Sequence, residues 1–382
     1  MSRKRKVLFL IYSLCGGGAE RVLVETVNSL APEKYDITLQ ALFHDDTRAK
    51  LLAPHVHYRT AFRFRSAWVQ KLVSGVVQKL VSGVVQYLLP PKWVYQWFFK
   101  GDHDVEVAFM EAFPTKMLAG STNRKAKKYA WVHIDVNTYT KQDRIFRSLA
   151  YQKHCYERFD RIYCVSENVR DAFVRKFRLA EKTSVVYNIL DDGAIRQKKD
   201  EPCIDLPRDK FLLVSVGSLI PRKGFGRLID CCARLKAEGF DFRLCILGKG
   251  ELEQELADAI HARHLEDTVQ LLGFRTNPYP YIAAADLYVC PSYVEGFSTV
   301  VSEAVVLGVP VLTTDSSGMR EILGDSEYGL ITANDDEALC QGLRQMLSEP
   351  ETYRMYQQKV KERSSFFSLP KRLAEYEAIL DQ

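Results

Sequence analysis

The sequence predicts an α/β protein of more than one domain, built on parallel sheets covered by helices. Three observations predict it. The chain has 382 residues, and at roughly 150 residues per domain that length suits two or three domains. Both halves alternate short apolar runs with stretches whose apolar residues recur at helical spacing, the pattern of βαβ units. Each half also opens on strand, glycine-bearing loop, helix: Val7–Tyr12 followed by GGG, and Phe211–Val216 followed by Gly217 and Gly224. Such glycines let a ligand approach the backbone, and the next helix offers the positive end of its dipole. A tight turn is the other reading of any one such loop.

Composition narrows the class. Apolar residues make up 47% and charged residues 26%, as in ordinary soluble globular proteins. The balance of 53 basic to 48 acidic side chains gives +5, too small to imply a nucleic-acid partner. Nine cysteines include no C-x-x-C, and several lie in apolar runs; buried reduced thiols of a cytosolic protein are the simplest account. No apolar run reaches the roughly 18 residues of a membrane span. The basic head and short apolar segment of MSRKRKVLFLIYSL run into GGGAERV where a cleavage site would stand, so a first buried strand is expected in place of a signal peptide.

The first domain is expected over residues 1–195. After Val7–Tyr12 comes a loop over 13–20 and a helix from Arg21 to Leu30, with Val22, Leu23, Val27 and Leu30 inward. Further strands are expected at Ile37–Phe43, Val56–Tyr58, Val105–Met110, Lys128–Val132, Arg161–Val165 and Ser184–Asn188, with a helix starting at Ser166-Glu167. The octapeptide KLVSGVVQ occurs twice, at 71–78 and 79–86. Its alternating apolar and polar pairs predict an amphipathic helix. Around it, Arg59, Arg63, Arg65, Lys71, Lys79, Lys92 and Lys100 interleave with Trp68, Trp93, Trp97, Phe98 and Phe99. That mixture suits the edge of an anionic membrane, so peripheral contact through 59–100 is one reading. A helix covering the sheet is the other. Asp102-His103-Asp104 spells D-x-D but directly precedes a strand and is read as turn residues; no metal site is expected. His133 and Asp135 follow Val132, at a strand's C-terminal end, where α/β sheets place ligands.

The charged, irregular stretch 191–208 reads as the linker. The second domain is expected over 208–365, and a last helix lies within 366–382. Arg222 and Lys223 stand just before a helix carrying Leu228, Ile229, Cys232 and Leu235. Two cations at a helix N-terminus oppose its dipole. A diphosphate between them would relieve that conflict, and arginine can grip it bidentately; a solvated turn is the alternative. Strands at Phe242–Leu247 and Val269–Leu272 end in loops, the second carrying Phe274 and Arg275. The stretch PSYVEGFSTVVSEAVVLGVP, 291–310, follows the apolar run Leu287–Cys290. Glu295 falls on its loop, Ser298 or Thr299 caps a helix, and Glu303 lies a turn inside it. The amides of Phe297, Ser298 and Thr299 suit an anion. Ionised carboxylates only accept hydrogen bonds, so the two glutamates suit the hydroxyls of a sugar and a ribose. They also fit as ordinary helix-end residues.

Glu295 and Glu303 form E-x7-E inside EGFSTVVSEA, between a strand and GVPVLTT, where Val311–Thr314 reads as the next strand. This resembles the donor site of the retaining glycosyltransferases of family 4, the group 1 type. The resemblance covers nearly the whole chain and is best over 212–323. It implies the GT-B fold, two Rossmann-like domains whose parallel sheets face an interdomain cleft. It further implies that Glu295 contacts the transferred sugar and Glu303 the ribose, with Gly296, Phe297, Ser298 and Thr299 around the donor. GGGAE is similar to the family's GG-x-E loop, which puts Gly17 and Gly18 by the diphosphate and Glu20 on the acceptor side. In WVHID, His133 matches the histidine near the reactive carbon, with Asp135 acceptor-side. Lys223 matches the diphosphate lysine; Ser218 stands where an arginine is usual, and Arg222 substitutes. Phe274 and Arg275 fall near the nucleobase, and the final helix crosses back to the first domain. The implied reaction is metal-independent transfer from a nucleotide-sugar, a UDP-sugar first, without cofactor. The acceptor is a saccharide, a lipid-linked one included, and the setting is cell-surface polysaccharide synthesis in the cytoplasm or on the inner membrane face. The alternatives are inversion with Asp135 as base, a nucleotide-sugar epimerase or hydrolase, and a non-catalytic donor-binding subunit.

Overall fold

The computed structural model describes residues 3–15, 17–43, 46–62, 83–138, 140–202, 206 and 209–382. They form two compact units, residues 1–189 with 371–382, and residues 190–370.

The first unit holds seven strands: β1 (Arg5–Ile11), β2 (Tyr35–Phe43), β3 (Val56–Phe62), β4 (Val105–Ala108), β5 (Lys127–Val132), β6 (Arg161–Cys164) and β7 (Thr183–Val185). They lie in the order β3-β2-β1-β4-β5-β6-β7, every pair parallel. Val7 through Ile11 of central β1 are fully buried, because helices on both faces leave a central parallel strand no polar side. The order turns around between β1 and β4, the switch point where loops part to admit a ligand.

The second unit repeats the plan with β8 (Phe211–Val216), β9 (Phe242–Leu247), β10 (Val269–Gly273), β11 (Leu287–Cys290), β12 (Val311–Thr314) and β13 (Leu330–Thr332). Their order is β10-β9-β8-β11-β12-β13, again parallel. Its switch point falls between β8 and β11. Leu213, Leu228, Ile229, Leu244, Ile246, Val289, Leu312 and Leu343 belong to its core.

Several expectations need correction. The first helix runs Gly18–Ser29, so Gly18 and Glu20 lie in its first turn and not in a loop. Gly17 is the N-cap, and Glu20 folds back on it: a Cβ on Gly17 would fall 2.1 Å from Glu20 Oε2. That is how a third-position glutamate serves an exposed helix start. The expected linker contains a helix, Asp192–Lys198, whose N-cap Asp191 accepts from the Ala194 amide at 2.8 Å. What reads as a turn in DDG is a cap. β7 stops at Val185, leaving Asn188 beyond it. The D-x-D carboxylates sit at the N-terminal edge of the sheet, where Asp102 pairs with Lys6 and Asp104 with Arg3.

Residues 63–82, which hold most of the KLVSGVVQ repeat, lie outside the described residues. From Gly83 onward the chain makes a π-helical turn, Val84–Leu88, then a helix Pro91–Val94 that runs into a second π-helical turn, Tyr95–Phe99. The helix Leu369–Leu380 packs in the first unit: Lys34 pairs with Glu377 at 2.6 Å, Tyr35 donates to Asp381 at 2.8 Å, and the Tyr376 and Trp131 rings lie 5.6 Å apart. The eight described cysteines are unbridged, and all but Cys15 are buried. No described helix is long and apolar enough to cross a membrane.

Candidate active site

In the second unit, the loops after β8 and β11 flank the switch point, and they carry Lys223 and Glu295. Lys223 Nζ lies 2.5 Å from Glu295 Oε1, and Ser292 Oγ donates to the same oxygen at 2.7 Å. Glu295 is buried. Burial pushes its carboxyl up, but the Lys223 ammonium, the Ser292 hydroxyl and Arg222 outweigh burial and leave it below the ordinary value. The loops are stitched by the Tyr293 amide donating to the Arg222 carbonyl at 2.8 Å. Arg222 Nη1 lies 3.5 Å from the Val294 carbonyl, so both cations flank the Glu295 loop. Gly224, at φ 68°, lets the chain turn directly after Lys223; a Cβ there would fall 2.0 Å from the Pro291 carbonyl oxygen. Only glycine meets both demands.

Ser298 is the N-cap of the helix Thr299–Val306, yet its buried Oγ makes no cap bond and has no partner among the described residues. Gly296 and Phe297 are buried beside it. Glu303 is fully buried one turn in. Ser218 is exposed and its carbonyl accepts from Ile220. Phe274 is exposed, with Lys249 Nζ 5.0 Å from its ring, and Arg275 donates to the Tyr281 hydroxyl at 3.0 Å.

Arg227 was not singled out by the sequence. It is buried behind the Glu295 loop. Its Nε donates to the Pro291 carbonyl at 2.8 Å, and Nη2 to Thr314 Oγ1 at 3.2 Å and Asn334 Oδ1 at 2.9 Å. Its guanidinium stacks 3.8 Å from the Tyr293 ring centroid. One arginine thus joins the ends of β11 and β12.

In the first unit, the segments after β1, β4 and β5 carry Gly17 with Glu20 of the helix it caps, then Glu111, then His133. The Phe109 carbonyl accepts from the His133 ring, and Nε2 has no partner among the described residues. Burial pushes the imidazole down to about 4, so it is neutral at pH 7. With the other nitrogen donating, Nε2 is left as an acceptor. Asp135 is spent on its own turn, accepting from the Asn137 and Thr138 amides at 2.8 and 3.3 Å. Glu111 escaped the sequence reading, although a carboxylate in the apolar run VEVAFMEAF was its signal.

Each unit thus gathers its candidate residues at the C-terminal edge of its own sheet, and both halves of the chain match known families. Residues 197–363 match the family model described as Glycosyl transferases group 1, and residues 16–193 match Glycosyltransferase Family 4. An N-acetylgalactosamine-N,N'-diacetylbacillosaminyl-diphospho-undecaprenol 4-alpha-N-acetylgalactosaminyltransferase of Campylobacter jejuni is 31% identical over 95% of this chain and 96% of its own. The crystal structure of Anabaena HepE in complex with UDP and glucose superposes with a TM-score of 0.75, at 19% identity over 99% of both chains. That of S. aureus TarM, in a complex containing UDP, gives 0.74 at 11% identity over 99% of this chain and all of that one. Matched in both units and along nearly its whole length, the chain belongs to the family 4 glycosyltransferases of the group 1 type and has their GT-B fold.

Proposed function

We propose that the chain moves a sugar from a UDP-sugar to a lipid-linked saccharide, with retention at the anomeric carbon, during assembly of a cell-surface polysaccharide. The observation that carries the donor half is the Lys223–Glu295 pair, 2.5 Å long at the switch point, with Glu295 buried. Departure of the nucleotide builds negative charge on the diphosphate. Lys223, Arg222 and the amides at the start of the Thr299–Val306 helix are fixed positive groups for it. Glu295, held ionised, accepts from a hydroxyl of the transferred sugar, and Glu303 takes the ribose. Neutral His133 offers Nε2 to the sugar near the reacting carbon. UDP in the HepE and TarM complexes supports the nucleotide, and the name of the Campylobacter relative supports the lipid-linked acceptor.

The same proposal includes docking on an anionic membrane surface. From Arg59 to Lys100 the chain has seven basic residues and no acidic one. In the described part, Leu88, Trp93 and Trp97 are 70%, 52% and 63% exposed, and the two indoles lie 6.1 Å apart. Lys116 donates to the carbonyls of Gln86 and Ile145, tying this surface to one with exposed Arg144, Arg147 and Leu149. Apolar rings among cations suit a lipid headgroup layer.

The test is turnover with UDP-, GDP- and ADP-sugars and a polyprenyl-diphosphate saccharide, with the product anomer read by NMR. Lys223→Met and Glu295→Gln, each folded, should lower kcat by at least about 100-fold. Wild-type turnover in either variant, or an inverted product, would defeat the assignment.

A further inference from the structure

Glu111 follows β4, on the sheet edge where the strand order turns around, and is 4% exposed. Its Oε1 accepts from two successive amides, His133 and, at 2.9 Å, Ile134. The next residue, Ala112, has φ 61° and ψ −108°, a backbone conformation costly for any residue with a Cβ and one that persists where its surroundings demand it. The chain therefore spends strain, and the burial of a carboxylate, on a single turn. Burial pushes that carboxyl up to about 7; three backbone N–H groups pull it down, and the Glu20 charge adds to the rise. Tyr156, Cys164, Glu20 and His133 are the titratable groups that face it. A turn that needed only to be filled would take an apolar or neutral side chain at less expense.

We propose that Glu111 is a positioning residue for sugar transfer: its carboxylate fixes the 133–134 turn and so holds His133 Nε2 in place for the transferred sugar. This rests on the role given to His133 above. It differs from that role in kind, because Glu111 acts only through the backbone of its neighbour.

The test combines amide hydrogen exchange on the free protein with kinetics of wild type, Glu111→Gln, Glu111→Ala and His133→Ala. Exchange at 133–134 should speed up by about 10-fold in Glu111→Ala and by less in Glu111→Gln, with the second unit unchanged. Glu111→Ala should lose up to about 100-fold in kcat with donor KM held, and Glu111→Gln should recover part of it. The wild-type kcat profile should carry an ionisation near pH 7 that Glu111→Gln lacks. Unchanged exchange in Glu111→Ala would overturn the proposal without touching the donor site. Wild-type transfer by His133→Ala would remove the role of His133, and the proposal would fall with it. An effect on KM alone would also overturn it.

Discussion

Burial alone would raise the Glu295 carboxyl, and the Lys223 ammonium reverses that. The sign for stability follows. A carboxyl held below its ordinary 4.5 contributes stability at neutral pH and loses it as the pH falls through its folded value. In urea titrations, Glu295→Gln should be less stable than wild type by about 1–3 kcal/mol at pH 7, and the gap should close below pH 4.5. A gap constant with pH would mean that the pair adds no net charge stabilisation. Glu111 has the opposite sign: its raised carboxyl loses stability as the pH rises from 4.5 to about 7. Glu295, Glu303 and Lys223 stand out as candidates in the sequence because their motifs are local. Glu111 and Arg227 do not, since their partners lie 22 to 23 and 64 to 107 residues away. No spacing pattern reaches that far.

Elements were most legible where most of their residues are buried. The strands Phe211–Val216, Phe242–Leu247, Leu287–Cys290 and Val311–Thr314 occur with the bounds expected. Each is a short apolar run closed by glycine, proline or aspartate, which leaves little choice of register or length. The helix Asp192–Lys198 was illegible because Ile195 is its only buried residue, too few for a periodicity. The three-residue strand Leu330–Thr332 was missed because it is half-buried and lacks a continuous apolar run. Between the Pro91–Val94 helix and the turn after it, composition announced the rings but not their side. Val94, Tyr95 and Phe99 go inward, while Trp93 and Trp97 stay out. If the outward pair meets lipid, Trp93→Ala/Trp97→Ala should sediment with anionic vesicles at most about a tenth as well as wild type, since each ring gives up 1 kcal/mol or so. Equal sedimentation of both proteins, or none with wild type, would count against docking here.

At the scale of the molecule, the second unit is an insertion: the chain leaves the first unit after Ile189 and returns at Lys371. The Leu369 amide donates to Asp192 Oδ1 at 3.0 Å, so the two ends of the insertion are pinned together. A fragment of residues 190–370 should therefore fold alone, unfold cooperatively, and gain thermal stability from UDP. A molten fragment would show that the second unit depends on the first. Strand order could not be read from the sequence in either unit, because parallel neighbours are set by crossovers that leave no local mark. The helix that carries Tyr376 and Glu377, with Asp381 just beyond its end, has a further consequence during synthesis. Tyr35 and Trp131 belong to strands made early, but the side chains that cover them emerge only after the whole insertion. At ribosomal speeds of about 5–20 residues per second, those aromatic faces wait on the order of ten seconds or more for their cover. The nascent chain thus completes its second-made half first, and is most in need of a chaperone while its first-made half stands open.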